Sequence, residues 1–262
     1  MKPRSLIALG LSALLFFGCQ SSTTVTGTGQ SGPSPQPEVA TAQPSAANAQ
    51  GAATASQAKS EKQAPPPVLP GDLKTDGYRW YGLSSDKPIN YTVTMEGNPS
   101  FSGSQTMQLK SVEKGRAIYE VERTGGLGDQ LGTETVSLER DGVFIIKSTK
   151  FTGDVHNLDM PSKVPVGATW KNTGKLEMPG QKFEQDLKFT VSGRARVTTP
   201  VGTQEALLVK STGQVTINGA KYRMVSSQWY VKDRGVVKSV ISMTGIGVKK
   251  PKTQQITIQE TK

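Results

Sequence analysis

The sequence predicts an all-β domain that follows a disordered tether: an antiparallel meander of about ten strands, curled into a barrel or half-barrel. Three observations predict this fold class. Apolar and polar residues alternate with period two in many runs of residues 70–262, which is the pattern of half-buried strands. Turn sequences separate these runs at short intervals. No apolar period of helical length follows the first eighteen residues.

The longest alternating run covers residues 183–197. Its apolar face is interrupted at Gln185 and Gly193 and otherwise consists of Phe183, Leu187, Phe189, Val191, Ala195 and Val197. Charged and polar residues occupy the alternate positions. A helix would scatter both sets around its circumference, so the run predicts one long strand with one buried face. The pattern recurs in shorter runs at residues 89–95, 117–122, 207–217 and 237–243.

Short turn sequences lie between the runs. They are Glu113-Lys114-Gly115, Asp141-Gly142, Pro179-Gly180, Pro200-Val201-Gly202, Asn218-Gly219 and Asp233-Arg234-Gly235. Asn-Gly and Asp-Gly between alternating runs are strong hairpin signals, so most strands are expected to be joined by hairpins. The glycine-rich run 125–132 lacks the Gly-Lys-Ser/Thr ending of a phosphate loop, and we expect a hairpin tip or β-bulge there.

The first eighteen residues have the pattern of a secretory signal. Lys2 and Arg4 precede an uncharged run of thirteen residues, Leu6–Gly18, which is too short for a bilayer span of about 20 residues. The run ends at Gly18-Cys19, which resembles the lipobox of bacterial lipoproteins. The resemblance implies that residues 1–18 are a lipoprotein signal peptide. It also implies that Cys19 carries the acyl chains that hold the protein in a membrane.

Residues 19–69 form the predicted tether. The composition after Cys19 shifts to Ser, Thr, Gly, Pro, Ala and Gln, and the charged residues are Glu38, Lys59, Glu61 and Lys62. Such a segment buries too little apolar surface to offset its ordering entropy. About 50 residues of flexible chain have a root-mean-square reach of roughly 35–45 Å. The tether is therefore interpreted as a spacer or display linker that leads to a folded domain at residues 70–262.

Three segments of the C-terminal half carry a further resemblance. They are residues 163–170 (KVPVGATW), 197–209 (VTTPVGTQEALLV) and 229–238 (WYVKDRGVVK). They resemble an uncharacterised family of secreted bacterial proteins and surface lipoproteins whose domains are curled antiparallel sheets. The resemblance implies a fold rather than a chemistry. In physical terms, the second segment holds a tight turn and the third closes a hairpin.

Trp170 and Trp229 are candidate ligand contacts within these segments. The interpretation we favour is that both supply apolar area to the core, as large aromatic side chains commonly do. The alternative is that they line a ligand cavity or a glycan-stacking surface.

The residue types disfavour an enzyme. His156 is the only histidine and Cys19 the only cysteine, which excludes the common zinc sites and any Cys–His nucleophile. His156 is interpreted as a surface loop residue. Asp154 and Asp159 flank it, but their spacing does not match a calcium loop. No catalytic residue, metal site or cofactor is assigned.

The charge of the chain is strongly positive. With 31 Lys and Arg against 21 Asp and Glu, the net charge is +10. Loss of Lys2 and Arg4 with the signal leaves +8, and because the tether charges cancel, this charge lies on the folded domain. A positive domain outside the cell could meet anionic lipid, lipopolysaccharide or acidic wall polymer; nucleic acid is not expected. The densest cluster is Lys249, Lys250 and Lys252, which is either a contact surface or a device that keeps a sheet edge soluble.

Three functional hypotheses remain. The first is a membrane-anchored envelope lipoprotein, expected to be a monomer, with a non-catalytic binding or structural role at the cell surface or in the periplasm. The second is a carrier of a lipid or other hydrophobic ligand, with the Phe183–Val197 stripe as its apolar face. The third is an envelope hydrolase. Gln20 is not the aspartate that is associated with inner-membrane retention, which favours the outer membrane if the cell has one.

Overall fold

The computed structural model describes residues 67–153 and 156–262. It also describes two two-residue strands near the N-terminus, β1 (Ile7–Ala8) and β2 (Phe16–Phe17), which pair with each other in antiparallel fashion. Cys19, Asp154 and nearly all of the predicted signal peptide and tether lie outside the described residues.

Thirteen further strands form a single sheet in which every neighbouring pair is antiparallel. They are β3 (Ile89–Met95), β4 (Asn98–Glu113), β5 (Arg116–Arg123), β6 (Glu134–Glu139), β7 (Gly142–Ser148), β8 (Thr152–Gly153), β9 (Asn157–Pro161), β10 (Thr169–Met178), β11 (Gln181–Thr199), β12 (Gly202–Ile217), β13 (Ala220–Val231), β14 (Gly235–Gly245) and β15 (Thr253–Thr261). The predicted fold class is confirmed, but the sheet has thirteen strands rather than about ten. Strands such as β8 and β9 are too short to display an alternating period.

The strand order is β8-β10-β11-β12-β13-β14-β15-β3-β4-β5-β6-β7-β9. Two meanders, β3–β7 and β10–β15, are therefore joined through the pairing of β15 with β3. The sheet curls so far that β9 and β10, which are not paired with each other, have Cα atoms within 8 Å of one another. The hydrogen-bonded ladder is not closed. The result is a curled sheet whose concave side holds the main core.

Two short α-helices and a 3-10 turn (Gly71–Leu73) accompany the sheet in the described part of the chain. Helix α1 (Asp76–Tyr81) begins at Thr75, whose hydroxyl accepts a hydrogen bond from the Tyr78 N–H at 3.2 Å, and ends at Gly82 with φ +91°. It buries Trp80 and Tyr81 in the main core and contacts β7, β9, β13 and β14. A helix of six residues is too short to show an apolar period, so the sequence does not reveal it.

Helix α1 is wedged between two chain segments from different parts of the sheet. On one side, the Gly77 N–H donates to the Ser162 carbonyl at 3.0 Å; on the other, the Asp233 N–H donates to the Arg79 carbonyl at 2.7 Å. The fit at Gly77 is so close that a Cβ there would lie 2.2 Å from the Pro161 oxygen. Only glycine allows this approach of helix to strand.

The glycine-rich run 125–132 is a helix, not the expected hairpin tip or bulge. Helix α2 (Gly125–Leu131) lies over β4 and buries Leu127 and Leu131. Glycines on both sides allow this close packing: a Cβ on Gly128 of the helix would lie 2.5 Å from the Arg123 oxygen, and one on Gly103 of β4 would lie 2.1 Å from the Thr124 oxygen. Helix propensity would not predict this element, since glycine is unfavourable inside helices.

The apolar stripe of residues 183–197 does not keep to one face. An irregularity in β11 leaves Ser192 without a partner on β12, because Val191 pairs with Val209 and Gly193 pairs with Leu208. A bulge of this kind moves the following side chains to the opposite face. Phe183, Leu187, Phe189 and Val191 therefore face the main core, whereas Val197 packs with Ala206 and Val237 in a separate cluster. Arg194 now shares the face of its partner Leu207 and, although exposed, covers Trp80 with its guanidinium carbon 4.3 Å from the ring centroid.

The fit of helix α1 predicts an unusual glycine effect. Gly77→Ala is expected to lower the free energy of unfolding by about 1–3 kcal/mol through overpacking against Pro161, although alanine is the better helix former. Chemical denaturation measures the change. The control is Gly71→Ala, where a Cβ meets no atom within 4 Å. If Gly77→Ala proves as stable as the control, the wedged position of the helix is wrong.

Candidate functional site

A cluster of charged and polar side chains lies inside the curled sheet, and its centre is an ion pair. Arg123, the last residue of β5, donates from Nη2 to Oε2 of Glu134, the first residue of β6, at 2.7 Å. Their side chains are only 7% and 3% exposed. Arg123 also donates to Gln105 Oε1 at 2.8 Å and to the Gly132 carbonyl at 3.2 Å. Burial raises the pKa of Glu134, and the attraction of Arg123 only partly opposes that shift.

Two tyrosines extend this cluster. Tyr81 interacts electrostatically with Asp159, which is itself buried on β9. Burial, followed by the charges of Asp159 and Glu134, raises the pKa of Tyr81 well above its ordinary value, so Tyr81 stays neutral. Tyr230 donates to Gln228 Oε1 at 2.9 Å. The cluster thus joins helix α1 to strands β5, β6, β9 and β13.

The space left between these groups is small. A pocket of about 30 Å³ is lined by Tyr81, Gln105, Met107, Val121, Arg123, Tyr230 and Val236. A single water needs roughly 10–15 Å³ of such space, whereas a site for a small organic ligand usually measures about 300–1,000 Å³. This part of the concave side is therefore filled by the protein itself, with room for a water.

The turn between β13 and β14 fastens helix α1 from outside the cluster. Arg79 forms a bidentate pair with the Asp233 carboxylate, with Nε to Oδ1 at 2.8 Å, and the Ser84 hydroxyl donates to the same Oδ1 at 2.8 Å. The hydrogen bonds from Arg79 and Ser84 hold the pKa of Asp233 below its usual range. Asp233 itself adopts φ +61°, a left-handed conformation that aspartate tolerates in turns.

The next residue of this turn, Arg234, binds the C-terminal strand. Its Nε donates to Glu260 Oε1 at 2.7 Å, and Glu260 is 1% exposed. Glu260 pairs in register with Tyr91 of β3, and the Tyr91 hydroxyl donates to the Val236 carbonyl at 2.7 Å. Burial raises the pKa of Tyr91, and the charge of Glu260 adds to that shift. The turn 233–235 thereby connects α1, β14, β15 and β3.

The two tryptophans singled out from the sequence lie in different places. Trp170 is buried in the main core and stacks on Phe189 with ring centroids 5.3 Å apart. Trp229 is half-buried beside Val197, Ala206 and Val237, with Lys238 Nζ 5.9 Å from its ring centroid. The fold does not bring them together in one cluster, and a ligand contact at either remains a prediction.

The other sequence candidates lie on the surface. Lys249, Lys250 and Lys252 are exposed in the β14–β15 connection. His156 is exposed as well; its ring stacks on Phe144 at 4.7 Å, and its Nε2 lies 3.6 Å from Glu139 Oε1. Asp159 lies inside the sheet with Tyr81 rather than beside a surface cation.

The cluster itself was not predicted from the sequence. Three buried charged residues lie in short alternating strands, where a single charge would be expected to face solvent: Arg123, Glu134 and Glu260. The turn Asp233-Arg234-Gly235 was predicted only as a hairpin. The sequence signal for such buried charges is a charged residue at an inward position of an alternating strand. Glu260 is an example, because it continues the period of the core residues Ile256 and Ile258.

Two further findings concern only the residues that the structure describes. None of their helices has the length and apolar character to cross a membrane. They contain no group of three or more His, Cys, Asp or Glu side chains arranged to hold a metal ion.

No protein-family model and no curated protein matches the chain. Solved structures do. The chain is similar to a protein from Parabacteroides distasonis that is described as a lipoprotein, with 11% identity, a TM-score of 0.48 and coverage of 70% of this chain and 96% of that one. It is similar to an exported protein with a YmcC-like fold from Bacteroides fragilis, with 12% identity, a TM-score of 0.46 and coverage of 68% and 96%.

A third similar structure is the hypothetical lipoprotein YmcC from Escherichia coli, with 10% identity, a TM-score of 0.33 and coverage of 71% of this chain and 90% of that one. These neighbours are described as lipoproteins or exported proteins. The lipobox lies outside the described residues.

Burial of Glu134 predicts a pH effect on stability. Because the pKa of Glu134 is raised in the folded protein, the folded state binds this proton more readily than the unfolded state does. The free energy of unfolding should therefore fall, relative to that of Glu134→Gln, as the pH rises from the ordinary pKa of glutamate through the raised one. Chemical denaturation at a series of pH values measures the difference.

The control for this effect is Glu205→Gln, which neutralises an exposed carboxylate. The difference in the free energy of unfolding between Glu205→Gln and the unmodified protein should not change with pH in the way that the difference for Glu134→Gln does. A rise in stability with pH relative to Glu134→Gln would mean that the attraction of Arg123 outweighs the burial of Glu134, and it would contradict a raised pKa at this carboxyl.

Proposed function

We propose that the protein is an exported lipoprotein of the bacterial envelope, held in a membrane through Cys19, with a folded domain in a non-catalytic binding or structural role. The N-terminal basic residues, the short apolar run and Gly18-Cys19 support export and lipidation. The acyl chains would act together, because a single chain holds a protein only marginally.

The observation that carries the non-catalytic part of the proposal is the filled interior. Several polar groups inside the sheet are hydrogen-bonded to one another, as in Arg123–Glu134 and Tyr230–Gln228. The pocket between them, about 30 Å³, has room for a water rather than a substrate. Partners of the domain are therefore expected on its outer surface. An anionic envelope polymer, lipid or protein suits the net charge.

A second candidate function is the transport of a lipid or other hydrophobic ligand. The open ladder between the two edges of the sheet favours it, because separation of β9 from β10 would widen the concave side. Trp170 Nε1 and Gln185 Oε1, both buried without a hydrogen-bond partner, would then have groups to bind. This function requires a rearrangement that the first does not, and it ranks second.

The lipid attachment has a direct test. In cells grown with radioactive palmitate, the unmodified protein should carry label and sediment with membranes, whereas Cys19→Ser should do neither, because the serine accepts no acyl chain in the lipoprotein pathway. Ser21→Ala is the matched control and should behave as the unmodified protein. Radioactive label that persists in Cys19→Ser would contradict the proposed lipid attachment at Cys19.

The membrane to which the protein is sorted can be tested at the next residue. In a Gram-negative host, the protein with Gln20 is expected in the outer-membrane fraction of a density gradient. Gln20→Asp is expected to shift it to the inner-membrane fraction, with palmitate labelling unchanged. An unmodified protein in the inner-membrane fraction would contradict the outer-membrane assignment while leaving the lipid attachment intact.

A further inference from the structure

The connection between β14 and β15 combines exposed apolar and positive side chains in one short segment. We call residues 246–252 the cationic tip. Ile246 and Val248 are 45% and 55% exposed, and they belong to a small set of large apolar side chains that the described residues expose. Lys249, Lys250 and Lys252 follow directly and are exposed. The tip therefore presents two aliphatic side chains beside three ammonium groups.

The tip is an ordered part of the hairpin. The Ile246 N–H donates to the Lys221 carbonyl of β13 at 2.9 Å, and the Gly245 N–H donates to the Lys252 carbonyl at 3.4 Å. Val248 folds back over Gly245, where a Cβ would lie 3.3 Å from Val248 Cγ2. Both ends of the tip are thus anchored to the sheet, which lowers the entropic cost of binding.

Neighbouring strands add positive charge to the tip. Lys221 contacts it through its carbonyl, and Arg223 pairs in register with Thr244 at the end of β14. Among the ion pairs found in the described residues, none involves these two side chains or the three lysines. An acidic residue, Glu96 in the β3–β4 turn, lies beside the start of β15, where its N–H donates to the Gln255 carbonyl at 3.2 Å. The charge around the tip remains strongly positive.

Exposed aliphatic and cationic side chains together fit one kind of surface. A soluble acidic polymer would pair with the lysines but give Ile246 and Val248 nothing to bury against. At the surface of an anionic bilayer, both sets are satisfied, because aliphatic side chains enter the interfacial region while ammonium groups meet the phosphates. We propose that the cationic tip is a membrane-docking site that binds anionic phospholipid. This proposal deepens the proposed function and rests on its export of the domain.

The tip and helix α1 lie at opposite ends of strand β14. The described chain begins at residue 67 and reaches α1, which lies against the turn at Asp233, one end of the β13–β14 hairpin. The tip lies at the other end of β14, whose eleven residues span about 35 Å. Docking of the tip would therefore bring the end of β14 that lies away from helix α1 to the membrane surface.

Vesicle binding by the unlipidated protein tests the proposal. The mature chain, residues 19–262 carrying Cys19→Ser, is mixed with vesicles of phosphatidylcholine alone or with a minority of phosphatidylglycerol, and binding is measured by co-sedimentation. Binding is expected only with phosphatidylglycerol and should weaken with added salt. Since each lysine near an anionic surface contributes about a fivefold change in affinity, K249Q/K250Q/K252Q should lower affinity roughly 100-fold. I246S/V248S should also weaken binding, at unchanged net charge.

The matched control removes the same charge elsewhere. Lys171, Lys188 and Lys210 lie on the outer face of β10–β12 and are exposed, so K171Q/K188Q/K210Q lowers the net charge equally without touching the tip. Circular dichroism checks the fold of each variant. Binding lost in the tip variants and kept in the control supports the proposal. Equal loss in both triple variants, no effect of I246S/V248S, or no binding to any vesicle would overturn it, and none of these results would bear on lipidation at Cys19.

Discussion

The curled sheet depends on the wedge formed by helix α1. A sheet whose ladder does not close leaves its concave side open, and the apolar face of every long strand then needs something to pack against. Trp80 and Tyr81 supply that surface. Their position is set by close contacts at Gly77 and by the paired side chains of Arg79 and Asp233. Because α1 reaches β7 and β9 as well as β13 and β14, it also links the two meanders.

A buried ion pair lies at the centre of the polar groups inside the sheet. Removing both partners of a buried ion pair often costs little, whereas removing one leaves an uncompensated charge. Arg123 and Glu134 are placed so that the pairing of β5 with β6, the loop carbonyl of Gly132 and the position of Gln105 all depend on one another. The proposed binding role therefore falls to the outer surface, and the net positive charge of the chain suits an anionic partner there.

The sequence predicted the alternating strands and their hairpins, but it did not predict the bulge in β11, helix α1 or the long-range polar contacts. Alternation and turn residues predicted the hairpin in which Trp229 pairs with Lys238 and Val231 with Gly235. The prediction that one face of β11 stays buried throughout was wrong beyond Val191, because the unpaired residue Ser192 reverses the two faces of the strand. Helix α1 is too short to show a helical period of apolar residues in the sequence. The partners of Arg123 and Asp233 are distant in the chain, and only the folded sheet brings them together.

The part of the concave side around Tyr81, Arg123 and Tyr230 is filled by the protein itself, and the choice between a surface-binding domain and a carrier depends on this property. Native mass spectrometry of the exported Cys19→Ser chain, purified from the envelope without detergent, tests it most directly. A mass equal to that of the polypeptide alone is predicted, because helix α1 and the polar cluster occupy the space that a ligand would need. A stoichiometric lipid or other apolar adduct, released on extraction with organic solvent, would contradict a filled interior and place the protein among carriers.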